Sequence, residues 1–120
     1  MGSSTLLLVF RHVSGARATE VDVVPLGAHR ELVLGRAPSA AVRFDPRRDL
    51  AVGRYHARIE PDGVPVRFRI CDLGSRNGTW LNGQRVEGCA AIGSGDHIRL
   101  GPDGPEVEFR IEVHERVLEG

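Results

Sequence analysis

Apolar and charged residues alternate with a period of two along much of this chain. Val66, Phe68 and Ile70 are separated by Arg67 and Arg69. Val107, Phe109, Ile111 and Val113 are separated by Glu108, Arg110 and Glu112. Tyr55, Ala57 and Ile59 alternate with His56 and Arg58, and Ile98 and Leu100 with His97 and Arg99. Successive side chains of an extended chain point to opposite faces, so each segment reads as a strand with one face buried and one wet. The continuous apolar run 6–10 reads as a more deeply buried strand. Segments 21–24 and 32–34 complete the obvious strands. No window of ten residues carries an apolar stripe at helical spacing, which removes helix-based architectures.

Turn signals fall between these segments, about ten residues apart: Ser14-Gly15, Pro25-Leu26-Gly27, Asp62-Gly63, Asn77-Gly78, Asn82-Gly83, and the stretches 93–96 and 102–105. Asn-Gly and Asp-Gly supply the positive φ that tight hairpins require. Many short strands with regular turns imply an all-β antiparallel sandwich or barrel. At 120 residues the chain is one domain, and that length holds a core without metal or disulfides. The expected core runs from about 6 to 113, with 1–4 and 117–120 as loose ends.

Composition narrows the function. Sixteen acidic residues balance sixteen basic ones, which argues against nucleic acid as the main partner. Every basic residue is Arg. That fits the coding bias of a GC-rich bacterial genome, and it equally suits planar contact with carboxylates and phosphates. No apolar run approaches the roughly 20 residues that span a bilayer, and 6–10 is too short for a signal sequence. Cys71 and Cys89 are too few for a disulfide scaffold. The expected protein is soluble, reduced and cytoplasmic, with no membrane partner. The five His and two Cys lack metal-ligand spacing. There is no phosphate-binding Gly-rich loop with a Lys, and no cofactor is expected.

In such a fold the loops carry function. Arg36, after the strand 31–34, is placed to clamp a phosphate or carboxylate with two parallel hydrogen bonds, although a lone Arg is more often merely solvated. Gly53-Arg54-Tyr55-His56 opens a strand. Here His56 reads either as a general base or, more commonly, as a brace for a loop. Asp72 and Ser75 complete the residue types of a catalytic triad, but no Gly-x-Ser-x-Gly elbow accompanies them. The stretch 72–83 sets Ser75, Arg76 and Asn77 on a tight loop between two Asn-Gly turns. A hydroxyl, a guanidinium and a carboxamide there suit phosphate oxygens and a peptide backbone; plain turn formation is the competing reading.

Taken in order, these pieces resemble the forkhead-associated (FHA) domain. The resemblance rests on Leu34-Gly35-Arg36, on Arg54-Tyr55-His56-Ala57-Arg58-Ile59, on the twelve residues 72–83, and on 95–101. It implies a β-sandwich of about eleven strands that binds phosphothreonine peptides through loops at one end. FHA domains are among the Arg-based readers of phosphorylated motifs. The resemblance further implies that Arg36 contacts the phosphate, that Arg54 and Arg76 reach the phosphate or its flank, and that Asn77 binds the peptide backbone. Ser75 lies in the same binding loop. Gly35, His56, Gly78 and Asn82 are implied as structural supports of the loops. The implied partner is a protein phosphorylated by a Ser/Thr kinase, or the kinase itself.

One position departs from the family. Residue 53 is Gly where the family usually carries a Ser whose hydroxyl meets the phosphate. A hydrogen bond to a charged group is worth about 1.5–3 kcal/mol, so its loss costs roughly tenfold to a hundredfold in affinity. The Gly53 backbone N–H, a bridging water or the three arginines are candidate substitutes. The same departure fits a domain that has become a phospho-independent interaction module.

Overall fold

The period-two segments form strands and the turn signals fall between them. The structure, a computed structural model, describes residues 2–27, 31–64 and 66–117. Within them are eleven strands: β1 (Gly2–His12), β2 (Val21–Pro25), β3 (Leu32–Gly35), β4 (Val42–Arg43), β5 (Ala57–Pro61), β6 (Phe68–Asp72), β7 (Thr79–Leu81), β8 (Gln84–Arg85), β9 (Cys89–Ile92), β10 (His97–Leu100) and β11 (Glu106–Val117). They make a six-stranded sheet in the order β2-β1-β11-β10-β7-β8 and a five-stranded sheet in the order β4-β3-β5-β6-β9. Every pairing is antiparallel except the two-residue contact of β3 with β4. The expected all-β sandwich is the architecture observed.

The core lies between the sheets, where the inward sets meet. Phe109 of β11 stacks on Phe10 of β1 at 5.5 Å and meets Phe68 of β6, from the opposite sheet, at 6.4 Å. Leu34, Ile70 and Leu100 are fully buried around them. Burying each such side chain contributes about 1.5–3 kcal/mol, which makes the alternation in sequence a statement about energy as well as geometry.

Four expectations need correction. Residues 2–4 and 117 are not loose ends: they extend the β1–β11 ladder, with Gly2 opposite Val117. Residues 1 and 118–120 lie outside the described residues. Tyr55 does not share the buried face of Ala57 and Ile59; the chain enters β5 only at Ala57, and Tyr55 stands in the preceding loop, 54% exposed. Val66 likewise precedes β6, in a turn at φ 59°. The run 6–10 buries Leu8 and Phe10, but Leu7 and Val9 on the other face are only half-covered. Finally, Cys71 and Cys89 are not free thiols. They face each other across β6 and β9 with Cα atoms 4.0 Å apart, and they are bonded. The register that joins them is a product of the sandwich and is invisible in their separation of 18 residues.

The connections 36–41, 44–56, 73–78 and 101–105 gather at one end of the sandwich. Leu34 pairs with Ala57, Ala57 with Asp72, and Leu100 with Thr79, so the strands that flank these loops all stop at that level.

Candidate functional site

The loop end is built around Gly35. A Cβ on this residue would lie 2.0 Å from the Arg54 carbonyl oxygen, so only Gly lets β3 pass the loop 44–56. That approach allows the Arg36 N–H to donate to the Gly53 carbonyl (3.0 Å) and the Ala37 N–H to the Arg54 carbonyl (3.0 Å). The Arg36 side chain continues along the same loop. Its Nε donates to the Val52 carbonyl, and its Nη1 to the Pro46 carbonyl at 2.9 Å. A half-buried guanidinium is thus oriented by neutral carbonyls, with Nη2 given no protein partner among the described residues.

His56 joins this loop to the next. It is fully buried. Its Nδ1 accepts the Gly53 N–H at 3.0 Å, and its Nε2 donates to the Gly78 carbonyl at 2.7 Å. That pattern fixes the neutral Nε2–H tautomer. Burial holds the imidazole below its ordinary pKa, against the opposing pull of the Gly78 bond and the Asp72 charge. The bracing role is the one the geometry displays. It also closes one route around the missing hydroxyl, because the Gly53 N–H is already donated to His56.

Asp72, at the end of β6, organises the loop 73–78. Its carboxylate accepts the Ser75 N–H (3.0 Å), the Ser75 hydroxyl and the Thr79 hydroxyl (2.8 Å). Ser75 Oγ in turn accepts the Gly78 N–H at 2.9 Å. Burial pushes the Asp72 carboxyl up, but the Ser75 and Thr79 hydrogen bonds outweigh it and hold it below its ordinary pKa. Gly78 sits at φ 83°, which favours Gly. The structure therefore places the Ser75 hydroxyl inside this bracket. It does not bring Ser75 to His56, whose ring nitrogens are both engaged by backbone groups, so the two are not arranged as nucleophile and base.

Asn77 points its Nδ2 at the Ala51 carbonyl (2.9 Å), tying the two loops together. Its Oδ1 receives no hydrogen bond within the described residues. Arg54 and Arg76 are exposed. Asn82 lies elsewhere: at the opposite end of β7 it bonds Asp96 (3.0 Å) and the His97 N–H (2.9 Å), and so supports the turns there. The network Gly35, Arg36, Gly53, His56, Ser75, Asn77 and Gly78 is contiguous; Asn82 is not part of it.

Three arginines of this end are left unpaired among the described residues. Several arginines elsewhere are matched, Arg17 with Asp22, Arg58 and Arg69 with Glu60, and Arg110 with Glu108, whereas others, such as Arg43 and Arg85, have no carboxylate partner among the described residues. Arg36, Arg54 and Arg76 have no carboxylate partner among the described residues. These three guanidiniums stand on neighbouring loops, free to meet an anion. The surface is shallow. A cleft of about 550 Å³ lies at the far end between Leu6, Val64 and Val113, and its largely apolar lining offers little to a phosphate.

One residue the sequence reading missed is Asp49. It is 7% exposed and accepts the Ala16 and Asp45 N–H groups at 3.1 Å each, which stiffens the loop that Arg36 grips. The repeated Asp at 45 and 49, four residues apart in a loop, was the available signal.

Known proteins share these features. The FHA domain family profile matches residues 32–101, a span that opens at β3 and ends just after β10, with the whole loop network inside it. Glycogen accumulation regulator GarA of Mycolicibacterium smegmatis is 34% identical over 67 residues, 56% of this chain and 39% of GarA. The match thus spans about two-fifths of that relative's length. An oxoglutarate dehydrogenase inhibitor of Corynebacterium diphtheriae is 31% identical over 103 residues, 72% of this chain and 69% of that protein. A solved structure from a study of phosphothreonine-dependent FHA domain interactions superimposes with a TM-score of 0.68 at 27% identity, covering 87% of this chain and 95% of that one. With the sandwich, the loop bracket and the profile all in agreement, the chain belongs to the FHA domain family.

Proposed function

We propose that this chain is a phosphothreonine-peptide-binding adaptor that works without catalysis. The observation that carries the reading is the loop surface of Arg36, Arg54 and Arg76, cationic and without carboxylate partners in a chain of zero net charge. A phosphothreonine brings about −1.5 to −2 charge near neutral pH and three acceptor oxygens, which suits guanidinium donors. Arg36 is the phosphate anchor, because carbonyls rather than acids orient it. Arg54 and Arg76 add charge from the two sides. Asn77 Oδ1 accepts a backbone N–H of the peptide. Gly35, His56 and Gly78 hold the loops in place. The partner is a protein phosphorylated by a Ser/Thr kinase, or such a kinase itself, and the setting is the cytoplasm. The solved relative from the phosphothreonine study supports the ligand class, and the two regulators support a role in control.

A second reading has its own observation. Residue 53 lacks the hydroxyl, and its N–H is held by His56 at 3.0 Å, so position 53 offers a phosphate neither donor. Under this reading the loops recognise a protein surface regardless of phosphorylation. Titration of wild type and Gly53→Ser with matched phosphorylated and unphosphorylated peptides separates the two. Phosphate-dependent binding of the wild type supports the adaptor; binding that ignores phosphate supports the alternative.

A further inference from the structure

The Cys71–Cys89 bond is placed asymmetrically. β9 is the outer strand of its sheet, and Cys89 on it is exposed, whereas Cys71 is only 2% exposed. Exchange proceeds by attack of a thiolate on one sulfur, and access decides which. Only Cys89 is open to a thiol from solution.

The surroundings of Cys71 suit it as the sulfur that is released and protonated. Arg58 stands directly opposite in the β5–β6 register, and Arg69 lies two residues before it on the same outward face. Both guanidiniums donate to Glu60 Oε1, at 3.0 and 3.3 Å, and that oxygen is 3.4 Å from Cys71 Sγ. A carboxylate this close disfavours a lingering thiolate and favours its prompt protonation, and Glu60 accepts the S–H once Cys71 is protonated. Glu60, Cys71 and Cys89 keep their donor atoms within 4.8 Å of one another, but the two guanidiniums already on Glu60 argue against a cation there.

The bond also closes the base of the binding loop. Everything from Asp72 to Gly88 lies between the two cysteines, including Ser75, Arg76 and Asn77. The next rung beside the bond is the Asp72 N–H to the Gly88 carbonyl, 2.9 Å, and Asp72 is the residue whose carboxylate brackets Ser75 and Thr79.

We propose that Cys71–Cys89 is an exchange site for a small-molecule thiol, entered at Cys89, and that its opening loosens the loop carrying Arg76 and Asn77. The consequence for peptide binding rests on the adaptor reading above; the exchange itself does not. In the first step the thiolate sulfur bonds to Cys89 Sγ, the Cys71–Cys89 bond breaks, and Cys71 leaves as a thiolate that takes a proton from water. A second thiolate attacks the mixed disulfide and releases Cys89. The pair has then gained two electrons and two protons, and two small thiols have become one disulfide.

The test treats the oxidised full chain with glutathione, traps free thiols with N-ethylmaleimide, and maps the adducts by mass spectrometry. Amide exchange at Ser75 and Gly78 is followed in oxidised and reduced protein, with Cys89→Ala as a second opened form. The expected result is glutathione on Cys89 and N-ethylmaleimide on Cys71. Exchange at the two amides should speed by on the order of a hundredfold, the scale of the chain entropy released when such a loop opens. Glutathione on Cys71, no adduct at all, or unchanged amide exchange overturns the proposal. Phosphothreonine-peptide titration of both forms runs alongside. Peptide binding to neither form, with adducts and exchange as expected, removes the adaptor reading and leaves the exchange site standing. Equal binding to both forms with unchanged exchange does the reverse.

Discussion

His56 Nδ1 accepts the Gly53 N–H at 3.0 Å, and the same ring reaches the Gly78 carbonyl at 2.7 Å. One buried imidazole thus couples the loop 44–56 to the loop 73–78, and it does so by taking the amide of the residue that departs from the family pattern. The relationship makes residue 53 the natural place to perturb the site.

Gly53→Ser should be accepted by the fold. A Cβ there would meet nothing closer than 3.8 Å, and the residue needs no left-handed backbone. Added to the existing arginines, the hydroxyl should raise affinity for a phosphothreonine peptide by about tenfold to a hundredfold, the value of one hydrogen bond to a charged group. Fluorescence anisotropy reads the affinity, and thermal melting should show no loss of stability.

Gly35→Ala should be costly. The added methyl would collide with the Arg54 carbonyl oxygen, which is backbone and held by the Ala37 N–H. Overpacking of this kind costs typically about 1–3 kcal/mol, and here the neighbour has no rotamer to change. Urea unfolding should show a lowered midpoint with an unaltered slope, and a wild-type midpoint would contradict the described approach of β3 to the loop.

Acid should weaken the fold in two stages, measured without ligand. Burial lowers the His56 pKa below its ordinary 6.5, so the unfolded chain binds the proton first. Stability falls as pH drops below about 6.5 toward the folded value. Asp72 is likewise held below its ordinary 3.8, so its contribution is present above that value and is lost as pH falls through the folded one. Urea midpoints across pH 3 to 8 should decline below 6.5 and more steeply below 4. A flat profile between 7 and 5 would mean that His56 is not buried as a neutral ring.

Arg76→Ala should leave stability within about 0.5 kcal/mol, as expected for an exposed side chain with no partner. It should weaken phosphopeptide binding and flatten its salt dependence. Arg36→Ala should do more, since it removes the anchor and strips the Val52 and Pro46 carbonyls of their donors. Titrations at two salt concentrations separate the two roles.

Much of the fold was legible because β5, β6, β10 and β11 each alternate against a one-sided core. β4 and β9 were not. Val42–Arg43 is too short to show a period, and Cys89–Ile92 has small residues on both faces. Tyr55 and Val66 extend the alternation of their neighbours by one step but lie in turns, because loop geometry ends each strand where a period alone would continue it. In the site, the motif residues pointed to the correct loops, yet three features needed coordinates: the capture of the Gly53 amide by His56, the inward engagement of the Ser75 hydroxyl, and the pairing of Cys71 with Cys89. Each depends on contacts between loops or strands far apart in sequence.

The most direct test of the central claim is fluorescence anisotropy of the wild-type chain against a degenerate phosphothreonine peptide library, beside the unphosphorylated library and Arg36→Ala. Binding that requires both the phosphate and Arg36 is the predicted result. Equal binding of both libraries, or binding untouched by Arg36→Ala, would contradict the assignment of the loop arginines to a phosphate.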